Sequence, residues 1–294
     1  MQGGDYVLCG WRVASALPLP ELTPWIGSAD HPVDLTIAAG PVEPAEGDNW
    51  LTVHEDGTIS LRIRDLVRIL IVGGRHITVD ILQPRDEMGW RLFVLGATIG
   101  YLCHQRGIFP LHAATVVIGA RTVALAGESG AGKSTLAFAL NRRGHRLLSD
   151  DLTVLREQGD QIEMLPAFPR LKLWNDTLVA MKEATDGLQR VRDGLDKFDL
   201  CQREGFDPAP RRLDAIFVLR KGDEPAIEPV PPAHAVSLIF ANIVRRRVAE
   251  RLGRKAVLFQ ETVSIARHVP VMRLIRPIDF AQLEETARMV EVAA

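Results

Sequence analysis

Residues Gly127, Glu128, Ser129, Gly130, Ala131, Gly132, Lys133 and Ser134, followed by Thr135, have the types and spacing of a phosphate-binding loop. Each part has a separate task. The glycines let backbone N–H groups close around phosphate oxygens. Lys133 has the reach to meet the β- and γ-phosphates, and the Ser134 hydroxyl is placed to ligate Mg²⁺. An apolar run, Thr122–Ala126, precedes the loop, and a helix-like run over 133–143 follows it. That helix would turn its positive end towards the phosphates. The residues Gly127 to Thr135 are therefore the expected nucleotide-binding set. A glycine-rich turn that only capped a helix would need neither the lysine nor the serine.

A second group lies downstream. Asp150 and Asp151 end an apolar strand-like run shortly after the loop's helix. A strand-end carboxylate in such a fold can face the metal. Two adjacent carboxylates can divide labour, one on the ion and one accepting a proton from an attacking hydroxyl. The competing reading has one aspartate capping a turn and the other solvated. His112 precedes the strand that leads towards the loop, and a lone histidine is more often structural than functional. Arg170 and Lys172 could meet phosphate or an acidic substrate, but they read first as surface charge. The cations Arg142, Arg143, His145 and Arg146 suit the negative end of the loop's helix without any ligand. Arg245, Arg246 and Arg247 spread around a helix axis and read as a solvated face.

These residues need a scaffold, and the sequence outlines one of α/β class. Up to about residue 86 the chain reads as β-rich. A short strand is expected over 6–9, a hairpin over 50–64 around Asp56-Gly57, and another over 67–82 around Gly73-Gly74. The proline-rich stretch Leu17 to Trp25 reads as an extended surface strip. One helix is expected over 87–105, with Gly107 as its C-cap. Strands are expected over 113–118, 122–126, 146–149, 152–156, 213–219 and 271–275. Residues 184–210 read as a long loop or mobile lid, and 221–232 as a connector. Helices are expected over 234–252 and 279–290, the last capped by Asp279. The expected domains are residues 1–86, a β-rich region that would contribute to acceptor recognition, and residues 87–294, a kinase domain with a mixed sheet and flanking helices.

The chain has 294 residues, 47% apolar and 24% charged, which suits a globular protein with a substantial core. A net charge of -2 gives no basic field for nucleic acid. Cys9, Cys103 and Cys201 show neither metal-ligand spacing nor a disulfide framework, so a reducing cytoplasm is expected. No targeting segment is expected, and no apolar stretch is long enough to span a membrane.

His112-Ala113-Ala114, the loop Gly127–Ser134 and the run Arg143-Gly144-His145-Arg146-Leu147-Leu148-Ser149-Asp150-Asp151 together resemble the catalytic core of HPr kinase/phosphorylase. The likeness covers about forty residues, counted along these segments of the chain. It implies an HPr-kinase-like core in which one aspartate is the base towards a serine hydroxyl and His112 sits beside the pair and tunes it. The chain departs from that family where an E-x-R-G-x-G signature would stand and instead reads Phe168-Pro169-Arg170-Leu171-Lys172-Leu173-Trp174. The departure tells against phosphorolysis and against one metal ligand. The opening Gly10 to Leu22 and the run Pro169 to Trp174 look like HPr-kinase-related proteins found beside peptide-maturation genes, some of them kinases of lasso-peptide precursors. Asp196-Lys197 matches two positions of an acidic-Lys-Arg element in those relatives, while Phe198 departs from it.

The resulting expectation is an ATP- and Mg²⁺-dependent kinase of a serine hydroxyl on a peptide or small protein. The expected catalytic residues are Asp150, Asp151, His112 and Lys133. Ser134 and one carboxylate, taken as Asp150, would hold the metal. Which aspartate is the base, and whether ATP is preferred to GTP, stay open. The resemblance implies a homo-oligomer. Two rivals use the same loop: a kinase of a small metabolite such as free serine, and a nucleotide sensor without catalysis.

Overall fold

The computed structural model describes residues 3–44, 49–192 and 194–294. The expected segments 1–86 and 184–210 therefore each include residues outside the described ones. Contacts divide the chain into two compact units, Met1–Ile108 with Arg245–Ala256, and Phe109–Val244 with Val257–Ala294. The helical stretch after residue 86 thus groups with the β-rich unit.

The first unit is built on an eight-stranded sheet. Both expected hairpins form: Leu51–Val53 pairs with Ile59–Ile63, and Val67–Val72 with His76–Ile81. The proline-rich stretch is not a surface strip, because Leu17, Leu19 and Leu22 are all buried. Alternation of leucine with proline lets an extended chain point one side inward while the prolines give up N–H groups it does not need. The single expected helix is two, Glu87–Leu95 and Ala97–Arg106, separated at Gly96. A Cβ on Gly96 would collide with the Leu92 carbonyl, so the break needs glycine. Gly107 caps the second helix in the left-handed conformation, as expected.

The second unit carries a six-stranded mixed sheet. In spatial order its strands are Arg146–Ser149, Ala113–Ile118, Arg121–Ala126, Ala215–Lys221, Val271–Arg276 and Ala226–Pro229. Three central strands, Arg121–Ala126, Ala215–Lys221 and Val271–Arg276, run parallel. Their carboxyl ends therefore share one edge, where ligands of open α/β sheets bind. The phosphate loop leaves the first of them and leads into the helix Lys133–Arg142. That helix buries Leu136, Phe138 and Leu140 among Val123, Leu125, Phe217 and Leu274, with Leu283 and Val290 of the final helix, Leu283–Ala293, in the same core.

The loop expected over 184–210 contains strands. Lys197–Cys201 pairs with Arg170–Trp174 on one side and Gln189–Arg190 on the other. Short strands bounded by glycine and charge carry little periodicity, so their pairing is fixed by the partner strand. The connector over 221–232 likewise contains an edge strand, Ala226–Pro229. The helix expected over 234–252 stops at Ala241. Asn242 to Val244 leave it to pair with the backbone at Pro110 to His112, which outweighs helical continuation. Asp279 does cap a helical start, but of the 3-10 turn Phe280–Gln282 that precedes Leu283–Ala293. The helix Lys255–His268 was not anticipated, although Leu258, Thr262, Ile265 and Ala266 bury one face at helical spacing.

Candidate active site

The phosphate loop is preformed. Gly127, Gly130 and Gly132 all take positive φ, 144°, 83° and 86°. A Cβ on Gly127 would lie 3.1 Å from the Leu219 carbonyl oxygen, so the loop presses on the neighbouring strand. Lys133 is buried, and its Nζ donates to the Gly127 and Glu128 carbonyls at 2.8 and 2.9 Å. Burial lowers its pKa, against the pull of Asp151 and Asp150 in the other direction. The ammonium thus rests on the loop's own carbonyls.

Ser134 Oγ donates to Asp150 Oδ1 at 2.7 Å. The other carboxylate oxygen of Asp150 accepts from the Lys172 backbone N–H at 2.9 Å. Burial first, then the charge of Asp151, raise the pKa of Asp150 above the carboxylate range. Asp151 goes the other way. Its own burial is outweighed by Lys172 and Lys197, and its pKa is lowered. Lys172 Nζ donates to Asp151 Oδ2 at 3.2 Å. Neighbouring carboxylates pushed apart in this manner are suited to different tasks.

Asp151 is held in an unusual backbone. Its φ is 65°, and the Leu152 N–H donates to the Asp150 carbonyl at 2.8 Å, so Asp151 is the centre of a three-residue turn. Asp tolerates this left-handed region better than most residues, and such strain clusters at functional positions. Two features brace the turn. His112 Nδ1 donates to the Asp151 carbonyl at 3.0 Å, and the His112 N–H donates to Asn242 O at 2.7 Å. Beneath it, Thr153 Oγ1 donates to Ala113 O at 3.0 Å and lies 2.6 Å from Thr115 Oγ1. With a proton on Nδ1, the Nε2 of a neutral His112 is left as an acceptor. Burial, then Lys133, lower the His112 pKa and favour that neutral form.

One cavity joins these groups. It is lined by the loop from Ser129 to Thr135 except Ala131, together with His112, Asp151, Lys172 and Lys197. Asp150 does not line it and lies behind Ser134. Trp174, Ile278 and Phe280, all exposed, line it as well, and Lys197 Nζ lies 5.6 Å from the Trp174 ring centroid. Glu128 stands outside the cavity with Arg220 3.3 Å from its carboxylate.

The structure thus brings together His112, Lys133, Ser134, Thr135 and Asp151, with Asp150 behind them. Lys172, read from sequence as surface charge, is instead a cavity residue, because its strand pairs Lys172 with Asp199 and turns its side chain to Asp151. Arg170 is buried and ion-paired to Asp199 rather than exposed. Arg143 and His145 are tied to Glu291 of the final helix, and Arg146 to Asp207, so specific partners hold them as well as a helix end. Arg276 and Phe280 were not named from sequence, and Trp174 only as the end of the run from Pro169.

Among the described residues, no three His, Cys, Asp or Glu side chains gather as a self-sufficient metal site. Ser134 and Asp150 nevertheless suit Mg²⁺, which keeps several waters and takes one or two protein oxygens plus phosphate. Once bound, the ion would neutralise charge on the β- and γ-phosphates.

No family model matches the chain. It is similar to a curated HPr kinase/phosphorylase of Chlorobium phaeovibrioides, 29% identical over 105 residues, which are 33% of this chain and 32% of the relative. It is also similar to one of Clostridium botulinum (strain Eklund 17B), 23% identical over 176 residues, 58% of this chain and 53% of the relative. The matched segments thus span between about a third and about half of the length of these relatives. A solved HPr(Ser) kinase/phosphatase from Coxiella burnetii aligns at 17% identity with a TM-score of 0.33, over 63% of this chain and 97% of that one. The curated likenesses support an HPr-kinase-like family for the chain. Among the described residues, no helix is long and apolar enough to cross a membrane.

Proposed function

We propose that the chain is an ATP- and Mg²⁺-dependent kinase that phosphorylates a serine hydroxyl on a peptide or small protein. The observation that carries this reading is the split pair beside the loop. Asp150 is hydrogen-bonded to Ser134, the magnesium ligand expected of the loop, while Asp151 lines the cavity. In this reading Ser134 and Asp150 hold the metal. Asp151, kept ionised by Lys172 and Lys197, accepts the proton of the attacking hydroxyl. His112 fixes the turn that aims Asp151. Lys133 moves from the loop carbonyls to the phosphate and offsets charge during transfer. A pure nucleotide sensor would need no such base.

The acceptor is expected to enter past Trp174 and Lys197, whose strands belong to the small sheet beside the cavity. A stacked cation and an exposed ring suit a peptide better than a free amino acid. A lasso-peptide precursor is one such acceptor. A homo-oligomeric, cytoplasmic enzyme and a role for the β-rich region in acceptor recognition belong to the same proposal.

The test is intact-mass measurement of serine-bearing peptides, including a lasso-peptide precursor, and of free serine after incubation with the chain, ATP and Mg²⁺. The expected result is one added phosphoryl group on a peptide, absent when the serine is alanine, and reduced about a hundredfold or more by Lys133→Ala. Phosphorylation of free serine alone would favour the metabolite kinase. Tight nucleotide binding with no product on any acceptor would favour the sensor.

A further inference from the structure

Arg276 ends the third parallel strand of the sheet and has only 4% of its surface exposed. Its Nε has no hydrogen-bond partner, and among the described residues no acid forms an ion pair with it. A guanidinium remains charged at any physiological pH, so this is an uncompensated cation removed from water. Such a group costs stability unless an anion meets it. It lines the cavity already described, beside Gly132, Lys133 and Ser134.

Its position within that cavity is specific. A Cβ on Gly132 would collide with Nη2 of Arg276. The guanidinium therefore lies against the backbone of the loop's last glycine, in the part of a phosphate loop whose N–H groups cradle the α- and β-phosphates. Glycine at 132 accordingly serves two needs: the left-handed backbone at φ 86°, and room for the arginine.

We infer that Arg276 is a nucleotide-binding residue that donates to the α/β-phosphate end of a nucleoside triphosphate, the end that leaves as the diphosphate. The inference rests on the kinase reading above for the identity of the ligand. A planar fork of donors fits phosphate oxygens. On that end of the chain it meets the negative charge that accumulates on the leaving diphosphate as its bond to the transferred group breaks. The cost of burying an unpaired cation in the empty protein is then recovered when nucleotide binds.

The experiment measures binding of fluorescent ATP and ADP analogues with Mg²⁺, and thermal melting with and without inorganic tripolyphosphate. It compares wild type with Arg276→Met and Arg276→Lys. The expected result is a tenfold or greater loss of affinity for ATP and ADP alike in Arg276→Met, partly restored in Arg276→Lys. The ligand-free Arg276→Met protein should melt no lower than wild type, because a buried unpaired charge has been removed. Tripolyphosphate should raise the melting temperature of wild type more than that of Arg276→Met.

Unchanged affinity in Arg276→Met would overturn the inference. So would a loss confined to ATP, which would put the arginine on the terminal phosphate. A ligand-free Arg276→Met protein that melts well below wild type would show a structural brace instead. If wild type binds no nucleotide, the kinase reading fails. The tripolyphosphate comparison then still decides whether Arg276 takes a phosphate chain.

Discussion

At the scale of single residues, the site depends on two adjacent carboxylates made unequal by their neighbours. Asp150 is enclosed behind Ser134, whereas Asp151 faces Lys172 and lines the cavity. Asp151→Asn keeps a residue that tolerates the left-handed turn. It is expected to leave nucleotide affinity nearly unchanged while slowing transfer about a hundredfold or more. Asp150→Asn should instead raise the Mg²⁺ concentration needed for half-maximal transfer. Titrating Mg²⁺ and ATP against both variants separates the two roles, and normal turnover by both would remove the base assignment. Lys172 supplies a pH signature. The pKa of Asp151 is held down against its own burial by Lys172 and Lys197, which favours the ionised form that the proposed base requires. In Lys172→Met that pKa should rise, and the acid limb of the pH–activity profile should move to higher pH. An unmoved limb would mean that another group sets it. The pair and the loop were legible in the sequence because both are contiguous motifs. Lys172 was not, because only the pairing of its strand with Lys197–Cys201 turns it to the aspartate.

At the scale of elements, the loop's helix is clamped to the last helix at its far end. Arg143 meets Glu291 through two hydrogen bonds, of 2.6 and 2.8 Å, and His145 Nε2 lies 2.8 Å from the same carboxylate. The hydrogen bonds of Arg143, followed by that of His145, lower the Glu291 pKa to about 2. Because the folded value lies below the unfolded one, the stabilisation is present above the ordinary glutamate pKa of 4.5 and is lost as pH falls towards about 2. Solvent screens the cluster, so the effect should be about 1 kcal/mol or less. Urea unfolding of Glu291→Gln should show a deficit of that order near neutrality that shrinks over that window. A deficit independent of pH would mean that packing, not charge, is lost. The run Arg143 to Arg146 was legible as a cluster of cations after a helix. Its acid partner was not, since it lies in another element 148 residues from Arg143. The helix breaks at Gly96 and after Ala241 were not legible either. Periodicity continued through both breaks; the first is made locally at Gly96, and the second by pairing with the distant backbone at Pro110 to His112.

At the scale of the whole molecule, the mixed α/β class and the β-rich beginning of the chain were legible from turn signals and apolar runs. The grouping of the helical stretch after residue 86 with the first unit was not, because helical periodicity does not say which sheet a buried face meets. What matters for function is that three parallel strands of the second unit bring their carboxyl ends to one edge. There the phosphate loop and Arg276 converge on one cavity with Asp151. The most direct measurement is a crystal structure of the full chain with Mg²⁺ and a non-hydrolysable ATP analogue. The expected result has the triphosphate in the loop, the metal on Ser134 and Asp150, and the Asp151 carboxylate open towards the terminal phosphate with room for a hydroxyl between them. A triphosphate bound elsewhere, or one whose terminal phosphate is turned away from Asp151, would contradict the proposal that this pair activates a serine for phosphorylation.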